Sequence, residues 1–157
     1  MPDGLYERDA LAWAEQQAGL LQRLAAGERV NDAVDWANVI GEVQDVGLSE
    51  LRACRSLLLQ AMVHLLKLHA WPGSRSVGHW RDKALAFLDD AEQRYAESMR
   101  QRVEFGALYA RALRRARAAE DTSGAPRPLP DECPFGLDEL LGGNLAVLEA
   151  GVRDGLA

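Results

Sequence analysis

Proline is missing from most of this 157-residue chain: the six prolines fall at positions 2, 72, 126, 128, 130 and 134. Two proline-free blocks remain, 3–71 and 73–125. Proline lacks an amide proton and clashes with the preceding helical turn, so both blocks are open to long helices. Sustained period-2 alternation of β-branched residues is absent, which argues against strands. Cysteine is scarce, with only Cys54 and Cys133. Two are too few for the disulfide framework of a secreted domain, and both are read as reduced thiols. No apolar run follows Met1, and Pro2, Asp3 and Gly4 open the chain. That predicts neither a signal peptide nor a membrane anchor, hence a cytoplasmic protein. No Gly-rich phosphate loop, nucleophile elbow, HExxH or paired CxxC occurs, and no cofactor is implied.

What the chain does contain is helical periodicity, with 48% apolar and 27% charged residues, ordinary for a globular protein. Between Leu48 and Ala70 the apolar residues cover most of a helical wheel, leaving Ser56, Gln60, His64 and Lys67 on one narrow polar strip. Such a helix should be central, with neighbours on several sides. At about 20 residues it has the length of a membrane span, but Arg52, Arg55, His64 and Lys67 interrupt it, so a buried core helix is the expectation. Upstream, Asp35 looks like an N-cap for a helix burying Trp36, Val39, Ile40 and Val43. Its stripe continues through Gly47 in phase at 51, 54, 58, 62 and 65, and one glycine costs a helix only about 1 kcal/mol. The spacing therefore predicts one long helix over about 35–70; a turn at Gly47 with Ser49 capping a second helix is the rival.

Around it, the pattern predicts an all-α bundle of five to six helices in a single domain over 5–141. The first helix starts near Leu5, with Asp3 as its cap, and stops at Gly27. Its stripe is Tyr6, Ala10, Trp13, Gln17, Leu20, Leu21 and Leu24. After the loop 73–76, Ser76 caps a helix burying Val77, Trp80, Ala84, Phe87, Leu88 and Ala91, with a break at Asp89–Asp90. A later helix, about 104–119, buries Phe105, Leu108, Tyr109, Ala112, Ala116 and Ala119. Arg111, Arg114, Arg115 and Arg117 take the opposite face. Residues 121–136 form a Pro-rich strap anchored by Phe135 and Leu137. Residues 142–157 make a weakly structured tail, whose Leu145, Val147 and Leu148 offer a docking element.

Charge is distributed unevenly within a net −6. Met1 to Glu50 holds ten acids against three arginines, whereas Arg100 to Arg117 holds six arginines against Glu104 alone. The acidic total argues against general nucleic-acid binding. The arginine face and Trp71, beside Pro72 at a helix end and expected to be exposed, are the candidate interaction residues for a protein partner or a second copy. The alternative is a metal-dependent or acid–base enzyme using Glu42, Asp45, His64 and Lys67, with Glu42 and His64 as metal ligands. In a continuous helix Glu42 and His64 are 22 residues apart, about 33 Å at 1.5 Å per residue, so that site needs a reversal at Gly47. The plain reading leaves His64 and Lys67 on a hydrogen-bonded strip and pairs Glu42 with an arginine. Gln17 and Asn38 satisfy buried hydrogen bonds, Trp13, Trp36 and Trp80 are core, and Cys133 is inert for want of a basic neighbour.

An ordered set of residues carries a resemblance: Tyr6-Glu7, Asp9, Trp13 and Gln17; Asp35-Trp36 and Asn38; Glu42; Gly47, Ser49 and Glu50; His64-Leu65-Leu66-Lys67; Trp80-Arg81; and Glu132-Cys133-Pro134-Phe135. Over residues 5 to about 141 the chain resembles the bacterial family called domain of unknown function 29. The resemblance implies a small, cytosolic, helical, single-domain protein without an established activity. The chain departs from the pattern in lacking prolines near 92 and 104, and in its tail after Leu141.

Overall fold

The computed structural model describes residues 4–157. It is all-α, with no strand among the described residues. The helices are α1 (Leu5–Arg8), α2 (Ala10–Ala25), α3 (Trp36–Ala70), α4 (Val77–Arg94), α5 (Phe105–Ala118), α6 (Leu137–Gly142) and α7 (Leu145–Asp154), with 3-10 turns at Asn31–Ala33 and Glu97–Arg102. The chain divides into two compact units, one up to Ser49 and one over Glu50–Ala157. The long helix α3 passes through Gly47 without a break, so the continuous reading holds and the turn at Gly47 does not occur. No helix is long and apolar enough to cross a membrane among the described residues.

In the first unit the expected single N-terminal helix is two pieces. Asp9 leaves helical geometry (φ −152°, ψ 85°) and its carboxylate accepts the Ala12 N–H, making it the cap of α2. Ending one turn there gives Asp9 an N-cap role that a helix interior does not allow; the expected cap, Asp3, lies outside the described residues. Trp13 and Gln17 are buried, while Leu20, Leu21 and Leu24 are half-buried. The start of α3 is tied to α2 by polar groups. Trp13 Nε1 donates to Asp35 at 3.1 Å, Gln17 accepts the Asp35 N–H at 2.8 Å, and Asn38 donates to Asp35 at 2.7 Å. Gln17 and Asn38 thus fill the hydrogen-bonding roles their positions predict.

Most of the expected buried face of this part of α3 is not buried. Of its four residues only Val39 is half-buried, while Trp36, Ile40 and Val43 are 39%, 53% and 70% exposed, and the neighbouring Val46 is 69% exposed. The side that meets the α1–α2 segment is the polar one, through Asp35 and Glu42, so the apolar stripe points the other way.

In the second unit Leu51, Cys54, Leu58, Leu59, Ala61, Met62, Leu65 and Leu66 are all buried, as expected of a central helix. Trp80, Ala84, Leu88 and Ala91 of α4 and Leu108, Tyr109, Ala112 and Ala116 of α5 join them in the core. Helix α4 runs through Asp89–Asp90 to Arg94: both carboxylates are exposed, so nothing forces the expected break. The strap lacks regular structure, and Phe135 is buried as an anchor. Tyr109 donates to the Pro130 carbonyl, Ser74 donates to Asp121 at 2.8 Å, and Arg127 N–H bonds the Ala70 carbonyl at 2.8 Å. The tail is not frayed: Asn144 caps α7 by accepting the Val147 N–H, and Leu148 and Val152 lie in the core. Those two side chains supply the apolar burial that a short helix needs to persist.

Candidate functional site

The proposed catalytic residues do not converge. Because α3 continues through Gly47, no reversal brings Glu42 toward His64. Glu42 accepts the Tyr6 hydroxyl at 2.6 Å rather than pairing with an arginine, and this bond, before the charge of Glu42, raises the Tyr6 phenol. Asp45 is exposed. His64 is half-buried beside the Phe87 ring, with centroids 5.5 Å apart. Its Nδ1 lies 2.7 Å from the Gln60 carbonyl, an acceptor that places the ring proton on Nδ1. Burial depresses its pKa, helped by Lys67, His79 and Lys83, against the opposing bond to Gln60. Lys67 sits 5.9 Å from the Trp80 ring centroid, a cation–π position. Among the described residues no group of three or more His, Cys, Asp or Glu is placed to hold a metal ion.

Trp71 is not a surface residue. It is 3% exposed, because the strap covers it and the Gly124 carbonyl accepts its indole N–H at 2.9 Å. The exposed tryptophan is Trp36. Both cysteines are free, and burial raises each thiol pKa, which removes thiolate character at neutral pH.

The four arginines of α5 separate into two groups. Arg117 pairs with Asp131 of the strap at 2.7 Å, and Arg114 faces solvent. Arg111 and Arg115, one helical turn apart, border the buried face at Leu108 rather than opposing it, and line a cleft of about 270 Å³ with Arg52, Arg55, Ser56, Leu59 and Gln60 of α3. The spacings explain the cleft: 52, 55, 56, 59 and 60 share one face of α3, and 108, 111 and 115 share one face of α5. Leu59 and Leu108 are buried, 4% and 1% exposed. Arg55 pairs with Glu104 at 3.0 Å. Glu104, just before α5, is the one non-glycine with a left-handed backbone among the described residues (φ 53°), a strained conformation for a side-chain-bearing residue. Arg52 and Arg55 escaped the sequence reading because they looked like interruptions of an apolar helix. Their i, i+3 spacing beside Ser56 and Gln60 was the available signal.

No curated protein matches the chain. A solved structure from Rhodospirillum rubrum, described as an alpha-helical protein of unknown function, is similar with a TM-score of 0.68 and 27% identity, covering 95% of this chain and 96% of that one. The family model described as Domain of unknown function DUF29 matches residues 5–145, and the chain belongs to that family.

Proposed function

We propose that this protein is a non-catalytic helical interaction module of the cytoplasm, whose docking surface is the apolar stripe on the first half of α3. The observation carrying this reading is the exposure of Trp36, Ile40, Val43 and Val46 on a stripe whose spacing is that of a buried face. Contiguous exposed apolar residues mark interaction surfaces more often than isolated ones do. The side of the same helix that meets α1 and α2 is already occupied by Tyr6, Trp13 and Gln17, so the stripe is the surface left for another molecule.

Charge selects the occupant. The chain up to Glu50 carries ten acids against three arginines, and a second copy would bring the same sign to the contact. An amphipathic helix of another protein, with apolar residues flanked by lysine or arginine, complements both properties. Two free thiols support a reducing compartment.

A photo-crosslinking residue at Val43, in lysate of the source organism, tests this. Crosslinks should map to apolar segments flanked by basic residues and vanish in I40D, while a probe at exposed Gln22 captures none of them. Crosslinks only to the protein itself, with light scattering showing a dimer, would overturn the choice of partner. Capture unaffected by I40D would overturn the surface.

A further inference from the structure

The cleft between α3 and α5 is lined by four arginines: Arg52, Arg55, Arg111 and Arg115. Like charges lining one cleft repel, and a folded protein normally interleaves them with carboxylates. Among the described residues the only carboxylate paired with any of the four is Glu104, on Arg55. Arg52, Arg111 and Arg115 make no ion pair or side-chain hydrogen bond among the described residues. Arg55 is itself incompletely satisfied, since its Nε is buried with no hydrogen-bond partner. A buried donor without an acceptor is costly, and it marks a place where an anion would supply what the chain does not.

We infer that this cleft binds a small phosphate monoester. Arginine forks match phosphate oxygens bidentately, and arginines of both helices line the one cleft. Size and surroundings restrict the ligand. A cleft of about 270 Å³ suits a small phosphorylated metabolite, and a chain of net charge −6 repels long polyanions such as nucleic acid. The rest of the lining fits the organic part: Ser56 and Gln60 offer hydrogen bonds to hydroxyl or carbonyl groups, and Leu59 and Leu108 form an apolar floor. Glu104 competes with the ligand for Arg55, so binding requires their ion pair to loosen. The site lies wholly in the second unit and is independent of the stripe on the first half of α3.

Calorimetric titration of the full chain at low salt, with ribose 5-phosphate and AMP as probes, tests the inference. Both phosphates should bind, and ribose and adenosine should not. R111Q/R115Q should weaken binding at least about tenfold, and R114Q, on the same helix but outside the cleft, should leave it unchanged. Glu104→Gln should tighten it severalfold by freeing Arg55. If R111Q/R115Q loses its helical circular dichroism, R52Q, at an exposed position, takes its place with the same expected direction. Absence of binding by either phosphate, equal loss in R114Q, or binding of single-stranded RNA or anionic vesicles without binding of the monoesters would overturn the proposal.

Discussion

The side-chain oxygen of Gln17 accepts the backbone N–H of Asp35 at 2.8 Å, across 18 residues of chain. Gln17 is 5% exposed, so no bulk water replaces it, and the bond joins α2 to the residue just before α3. Gln17→Leu keeps the bulk but leaves that amide without its partner, at a cost of about 1–3 kcal/mol. Urea unfolding followed by circular dichroism measures it, and a loss below about 0.5 kcal/mol would show that the bond is dispensable.

Leu58 is fully buried and Val43 is 70% exposed, although both follow the same apolar phase of α3. Truncating Leu58 to alanine removes core contacts and leaves a cavity, costing about 2–5 kcal/mol. Val43→Ala should change stability by less than about 0.5 kcal/mol. Leu58→Ala below about 1 kcal/mol would contradict its central placement, and a large loss at Val43 would mean that the stripe is covered within the chain.

His64 and His69 both have pKa values depressed by burial, His64 also by Lys67, His79 and Lys83, and His69 also by Arg127 and Arg153. Their carbonyl contacts, to Gln60 and Pro128, oppose the shift without cancelling it. The unfolded chain, with histidine near 6.5, then takes up protons before the folded one. The stability from keeping the rings neutral is present above that value and is lost as pH falls through the lower folded values. Urea midpoints should therefore decline from about pH 7 to about pH 5, and H64Q should flatten part of the decline. Midpoints that rise over that interval would reverse the sign. The depressed carboxyls of Asp35, Glu97 and Asp121 act at lower pH and do not interfere.

Tyr109 holds the strap by donating to the Pro130 carbonyl, and its burial pushes the phenol up to about 12, so the donor stays protonated at neutral pH. Tyr109→Phe keeps the edge-on contact with Phe135 but orphans the carbonyl, costing about 1–2 kcal/mol and increasing proteolysis within 121–136. The neighbouring tie between Arg117 and Asp131 is exposed on both sides, and R117Q should cost less than about 1 kcal/mol. Equal losses from the two variants would mean that the buried hydrogen bond carries no special share.

The arginine cleft was half legible in the chain. Arg111 and Arg115 stood out as part of a basic helix, but their partners Arg52 and Arg55 lie more than 50 residues earlier, inside a run dominated by leucine. No local spacing reports that two helix faces so far apart in sequence will meet. Arg117 shared the same sequence signal and has a different fate, because the strap returns Asp131 to it.

Helix class and the extent of α3 were determined by the sequence alone, because both follow from interactions between residues three and four apart: proline exclusion, apolar period and the small cost of Gly47. Residues sharing a helix face are likewise a local matter, so 36, 40, 43, 51, 54 and 58 were placed on one stripe correctly. Which part of that stripe is covered was decided only by the tertiary structure. Leu51, Cys54, Leu58, Met62, Leu65 and Leu66 lie inside a core shared with α4 and α5, whereas Asp35 and Glu42 turn toward α2 and α1 and leave Trp36, Ile40 and Val43 in solvent. Trp71 differs in the same way, since a strap arriving from 53 residues later covers it. A periodic pattern states which side chains point together; burial depends on which distant segment packs against them.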